Sequence, residues 1–307
     1  MTILIWIIQL LLVPALSPLF IGIIRKIKAK LQNRRGASIC QPYRDLRKLF
    51  NKDEVISEDA SWIFRFSPFI IFAITLVVGA SIPLFTGLIS NPLSDFLVII
   101  YLLAFSTFFL ALAGMDAGSA FGGFGSSREM TVAALTEGGL LFSLLTLAIA
   151  AKSMNLFSIS QKIASLPSSS LFPVGLAFVG FLIAFLAEAG RFPFDNPATH
   201  LELTMIHEAM ILEYSGKRLA LIEWAAANKF LIFAGLAANL FFPWGLTGQV
   251  TLPHIALALL LFTGKILVLS LGVAILESSI AKFRFFRLPD LLFVSFILSV
   301  IAIGLII

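Results

Sequence analysis

Eight apolar runs, each long enough to cross a bilayer, constrain this 307-residue chain more than any short motif does. A transmembrane helix needs roughly 20 mostly apolar residues. Windows of about 19 residues place such runs near 3–24, 66–89, 94–114, 129–151, 171–190, 219–242, 254–277 and 288–307. None alternates polar and apolar residues as a barrel strand does, and in hydrocarbon only helices and closed barrels satisfy the backbone. The fold class is therefore all-α, a polytopic bundle of about eight membrane helices. Composition agrees, with 59% hydrophobic and 13% charged residues, against about 25% charged in soluble domains. The whole of 1–307 reads as one membrane domain, with notable connections over 25–65 and 191–218. No basic residue precedes the first run and no small-residue cleavage site follows it, so it reads as a retained helix.

The basic residues give direction. Eleven of the 22 Lys and Arg lie between Arg25 and Arg65, and Arg128, Arg191, Lys217, Arg218, Lys282, Arg284 and Arg287 lie in or at other connections on the same side. Only Lys152 and Lys162 fall opposite, while Lys229 and Lys265 lie inside runs. The positive-inside bias puts these basic connections in the cytoplasm and both termini outside the cytoplasmic (inner) membrane. The net charge of +5 is thus accounted for by topology, and no nucleic-acid partner is implied.

A single cysteine, Cys40, excludes an internal disulfide and any iron–sulfur cluster held by this chain alone. No CxxCH, GxxxxGK[ST] or HExxH occurs, which leaves covalent haem, nucleotide hydrolysis and zinc proteolysis without support. The chain itself offers no catalytic, metal or cofactor-binding set, so electron chemistry belongs to partners.

Three connections carry signal. In "CQPYRDLRKLFNKDE", Tyr43, Leu46, Leu49 and Phe50 share one helical face and Pro42 suits a helix start, so an amphipathic helix along the lipid interface is expected. "GMDAGSAFGGFGSSRE", residues 114–129, follows no strand and reads as a tight helix connection, not a dinucleotide loop. "RFPFDNPATHLELTMIHEAMILEYSG" holds Asp195, Glu202, Glu208 and Glu213, four of the chain's 17 acidic residues, with His200 and His207. Leu201, Met205, Ile206, Ala209 and Leu212 are spaced as a helical stripe, with the glutamates off it. A solvated acidic face is the plain reading, and two histidines without a third ligand are a weak metal signal.

"RFPFD" followed by "EYSG" resembles the signature of the complex I subunit 1 family, which includes membrane subunits of energy-converting group 4 NiFe hydrogenases and formate hydrogenlyases. "NRRGASICQPYRDLRKLF", "GSAFGGFGSSREM" and "EAGRFPFD" extend the resemblance over nearly the whole chain. "GSSRE", "DNPATHLELTMIHEAMILEYSG" and "LALIEWAAANK" are similar to the hydrogenase-4 branch. A Pro-Glu-Ala-Glu pattern after the Asp is absent, and Ala37 stands where the quinone-reducing relatives carry proline; both departures weigh against a quinone headgroup site. The resemblance implies a non-catalytic membrane subunit of an oxidoreductase complex. It further implies hydrogenase-like large and small subunits carrying iron–sulfur clusters, with or without a nickel–iron centre, antiporter-like membrane subunits, and docking through Arg34, Arg35, Arg44, Asp45, Arg191 and Asp195.

Ionisable residues inside spans cost about 2.5–3.5 kcal/mol on insertion scales and default to functional hypotheses. Glu137, Glu188, Glu223, Lys229 and Lys265 are such residues, while Glu277 sits near enough to an interface to be solvated and Asp95 and Asp290 suit helix starts. The plain alternative is structural ion pairing between spans. The resemblance matches Glu137 and Glu188 to membrane glutamates of a proton path, here extended through Glu202, Glu208, Glu213, Glu223, Lys229 and Lys265. The expected function is coupling of a redox module to proton or Na+ movement; a quinone-binding subunit, a passive anchor and a free-standing transporter are the other readings.

Overall fold

The computed structural model describes residues 2–57, 60–87, 92–165, 167, 170–196, 205–248 and 251–307. Its helices are α1 (Thr2–Leu31), α2 (Gln41–Phe50), α3 (Trp62–Ser81), α4 (Phe96–Asp116), α5 (Ala120–Ala151) and α6 (Leu156–Ile163). They continue with α7 (Leu171–Glu188), α8 (His207–Ile211), α9 (Gly216–Leu236, with a π-helical turn Ala237–Phe241), α10 (Leu252–Ser279) and α11 (Leu288–Ile306). Eight of these are long and apolar enough to span a membrane, and no strand occurs among the described residues.

Three boundaries differ from the hydropathy reading, each for a local reason. α3 stops at Ser81, where Ile82 precedes Pro83 and takes an extended conformation (ψ 149°), the conformation that a following proline favours. α1 runs on through its basic residues to Leu31, about 45 Å in all, so its charged end projects past the hydrocarbon. α5 begins at Ala120, making most of the glycine-rich "connection" helical. Ser119 caps it by accepting from Gly122 N at 3.1 Å. A side chain at Gly122 would collide with the Gly114 carbonyl at 2.1 Å, so Gly122 serves close helix approach.

In lipid, association depends on close packing and interhelical hydrogen bonds. α11 packs on α5 and α7, α3 on α4 and α9, and α1 on α9 and α10. A Cβ at Gly180 of α7 would lie 2.5 Å from Ser299 Oγ, and Ser295 Oγ donates to the Gly180 carbonyl at 2.7 Å. Phe181 and Phe185 of α7 pack their rings on Phe230, Phe233 and Phe241. Pro18 inside α1 has no N–H for the Pro14 carbonyl, and Trp224 Nε1 of α9 donates to that carbonyl at 2.9 Å. Asn228 of α9 accepts from Ser17 at 2.6 Å and donates to Thr75 at 3.1 Å, tying α1, α9 and α3 together. Asp116 at the end of α4 accepts from Ser61 N and Phe64 N, satisfying the start of α3.

The amphipathic α2 forms as the pattern indicates, with Arg44, Arg47 and Lys48 exposed and Leu46, Leu49 and Phe50 partly covered against α9 and α1. Phe50 meets Trp224 edge-on at 6.2 Å, and the Tyr43 hydroxyl donates to the Ala15 carbonyl. Asp95 begins α4 by accepting from Leu97 N, the helix-start role its position suggests.

Candidate functional site

The ends of α1, α5, α7, α9 and α10 on the basic side, with α8, enclose a chamber of about 770 Å³. That is within the roughly 300–1,000 Å³ of small-molecule sites, yet its wall is unusually charged. Arg25, Lys28, Arg34, Arg191 and Lys229 face Glu129, Glu188, Asp195, Glu208, Glu223 and Glu277, with His207 among them.

Half of these groups are neutralised in pairs. Glu188, the last residue of α7, accepts from Lys229 of α9 at 2.6 Å, and Lys229 also donates to Thr107 of α4 at 2.9 Å. Glu277 of α10 meets Lys28 of α1 at 3.1 Å and Arg191 at 3.2 Å. Asp195 accepts from Lys282 at 2.6 Å and from His207 N at 3.1 Å. The turn holding Arg191 and Asp195 exists because Gly190 (φ 56°) ends α7 in the left-handed region, with Arg191 N returning to the Leu186 carbonyl.

The rest face the cavity. Glu129, Glu208 and Glu223 make no hydrogen bond or ion pair among the described residues. Burial, reinforced by Glu223 and Asp195 and opposed by Arg25, pushes the Glu208 carboxyl up to about 7. Burial also pulls His207 below the usual imidazole range, with Asp195 opposing and Lys229 assisting. Both residues lie outside the spanning helices.

Glu188 has a second side. It lines a small void of about 10 Å³ with Glu137, Leu140, Leu144, Phe233 and Leu236, close to the roughly 10–15 Å³ one water needs. Glu137 is eight residues past Glu129 on α5, about 12 Å along the axis. The chamber and the Glu137 void thus meet at one carboxylate.

Of the residues singled out in the sequence, Glu188, Glu208, Glu223 and Lys229 gather at the chamber and Glu137 at the adjoining void. Glu202 and His200 lie outside the described residues. Glu213 is exposed at the surface, away from the chamber wall. Lys265 sits elsewhere, held by the carbonyls of Ala238 (3.3 Å) and Phe242 (2.6 Å) and by Asn239 Oδ1 (3.0 Å), over the Trp244 ring. Arg34, Arg35 and Arg44 are exposed and Asp45 is half-covered beside Gln41. Arg191 and Asp195 are a correction: expected at a docking surface, they are 8% and 4% exposed and paired inside the chain. Glu277, whose position in the sequence left solvation open, is a 5% exposed carboxylate between two cations. Of the acidic stripe, Leu201 lies outside the described residues; among the described ones His207–Ile211 is helical, with Met205 and Ile206 buried before it. Glu129, Arg25 and Lys28 were missed; Ser119, as a cap signal, would have put Glu129 inside α5. Among the described residues no three His, Cys, Asp or Glu side chains gather as a metal site.

The chain matches the family described as NADH dehydrogenase over residues 2–307. It is 36% identical to hydrogenase-4 component C of Escherichia coli over 96% of this chain and 92% of that one. It is 33% identical to formate hydrogenlyase subunit 4 of the same organism over 96% of each. A chain in the structure of an archaeal membrane-bound sulfane sulfur reductase, a respiratory membrane complex, shares the fold at a TM-score of 0.82, with 21% identity over 99% of both chains. From the spans, the charged chamber and these matches together, this chain belongs to the NADH dehydrogenase family, as a complex I subunit 1-like multi-pass membrane protein.

Proposed function

We propose that this chain is the membrane anchor and coupling subunit of a redox complex, linking electron transfer on its basic, cytoplasmic side to proton or Na+ movement across the cytoplasmic membrane. The observation that carries this reading is that Glu188 lines both the charged chamber and the void holding Glu137. A proton taken up among Glu208, Glu223 and Glu129 has a carboxylate–amine pair, Glu188–Lys229, as its next station and Glu137 beyond. Moving one charge against 100 mV takes about 2.3 kcal/mol, and no group of this chain releases that energy. A redox partner therefore follows, and the names of the relatives, hydrogenase-4 component C and formate hydrogenlyase subunit 4, favour a hydrogenase type; the partners of this reading are hydrogenase-like large and small subunits bearing iron–sulfur clusters, with antiporter-like membrane subunits alongside. The exposed Arg34, Arg35 and Arg44 are the proposed docking contacts, and both termini lie outside.

The interhelical pairs Lys229–Glu188 and Lys28–Glu277 also support a second reading, a passive anchor whose buried charges only fix packing. The test is the complete complex reconstituted in liposomes, with redox turnover and ion uptake measured together. Coupling predicts that Glu188→Gln and Glu137→Gln keep turnover but lose ion uptake. The passive anchor predicts normal uptake per turnover in both, and that result defeats the proposal.

A further inference from the structure

We infer that Glu277 and Lys282 are positioning residues of the chamber: they clasp the 191–195 turn and, through Asp195, hold α8 with Glu208 at the wall. The inference rests on the coupling reading for its functional consequence, though not for its geometry.

Two ion pairs of opposite polarity join the same two segments. From the turn come a cation and then an anion, Arg191 and Asp195; from α10 and the residues after it come an anion and then a cation, Glu277 and Lys282. Between them Phe283 N donates to the Pro193 carbonyl at 3.1 Å, so the clasp includes backbone. The two oxygens of Glu277 go to cations from different elements, Oε1 to Arg191 and Oε2 to Lys28 of α1. Each cation also lies over a ring, Arg191 over Phe230 at 5.1 Å and Lys28 over Phe192 at 4.7 Å. Glu277 is thus the shared counter-charge of two cations, Arg191 buried and Lys28 partly buried.

The clasp reaches the chamber by one further contact. Asp195 accepts Lys282 on Oδ1 and the backbone N–H of His207 on Oδ2. That N–H opens α8, which has no side-chain cap of its own from Ile206, so Asp195 supplies it from outside the helix. α8 carries Glu208, and its Met210 and Ile211 are buried against the bundle. Removing the Glu277 carboxylate leaves the partly buried Lys28 and the buried Arg191 as neighbouring cations without their shared counter-charge. The movable party is the Arg191 turn, because Lys28 belongs to the continuous helix α1, and moving that turn carries Asp195 away from His207.

The test uses the complete complex in lipid. Hydrogen exchange of amides in 190–196 and 205–212 is measured in Glu277→Gln and Lys282→Met, with ion uptake per redox turnover in the same preparations. The expected result is exchange at least about tenfold faster in both segments, with reduced uptake per turnover, while Glu277→Asp, which keeps the charge, stays close to the parent. If Glu277→Gln fails to assemble, Lys282→Met tests the other jaw of the clasp. Unchanged exchange in the neutralised variants overturns the inference. So does faster exchange with intact uptake in a complex whose Glu188→Gln variant has lost uptake. Intact uptake in Glu188→Gln as well would mean that the coupling reading has failed, and the exchange data alone would then decide the clasp.

Discussion

Two lysines inside membrane helices, Lys229 and Lys265, sit on adjacent helices and are held by opposite chemistry. Lys229 faces the chamber and meets a carboxylate, Glu188, at 2.6 Å. Lys265, in the middle of α10, meets only neutral oxygens at the π-helical turn of α9, with the Trp244 ring beneath it. An ammonium–carboxylate pair can be discharged by moving one proton between or past its members. An ammonium seated on backbone carbonyls stabilises a local shape: here it covers carbonyls that the wider i to i+5 turn presents. In the proposed coupling, charge alone in a membrane span does not mark a path; the neighbour decides.

The largest expected effect is on the first lysine. Lys229→Met leaves Glu188 buried without a counter-charge, and breaking a buried pair typically costs about 3–5 kcal/mol. Thermal unfolding in detergent should show that loss, and the double variant Lys229→Met/Glu188→Gln should recover most of it, since the orphaned charge is gone. Lys265→Met should cost less, about 1–3 kcal/mol for acceptors left unpaired, and should leave ion uptake per turnover intact. No acid neutralisation elsewhere should rescue it. If Lys265→Met abolished uptake while Lys229→Met preserved it, the contrast between the two lysines would be reversed.

A pH measurement sharpens the chamber side. The Glu208 carboxyl is raised to about 7 against roughly 4.3 for a free glutamate. The folded chain therefore holds a proton there that the unfolded chain has released, and stability from this group falls as pH rises through that window. His207, lowered by burial, has the opposite sense: stability is lost as pH falls below the ordinary imidazole range. Comparing parent with Glu208→Gln isolates the first term, and the variant's melting temperature should gain on the parent between pH 5 and 8. The smallest effect belongs to Glu213→Gln. This exposed residue lies off the chamber wall, so stability should shift within about 0.5 kcal/mol and uptake should not change.

The eight spans were legible because a helix in lipid must be apolar for its full length, and hydropathy reads that directly. Glu188, Glu137 and Lys229 stood out for the same reason, as charges where charge is costly. Their pairing did not. Lys229 finds Glu188 across 41 positions of chain, and Glu277 finds Lys28 across 249, through packing that no local pattern announces. The surroundings of Glu277 were not legible, because closeness to a span end says nothing about which neighbours cover it. Glu129 was lost inside "GGFGSSRE", where glycines placed for close helix approach imitate a loop. Arg191 and Asp195 carry the charges of a docking surface, and only the turn at Gly190 shows that they point inward.

The central claim is that Glu188 changes protonation when the redox partner turns over. Redox-triggered infrared difference spectroscopy on the lipid-embedded complex reads carboxyl protonation directly. The account predicts a carboxyl C=O difference band that is lost in Glu188→Gln and altered in Glu137→Gln, with electron transfer still running in both. A difference spectrum unchanged by Glu188→Gln would contradict it.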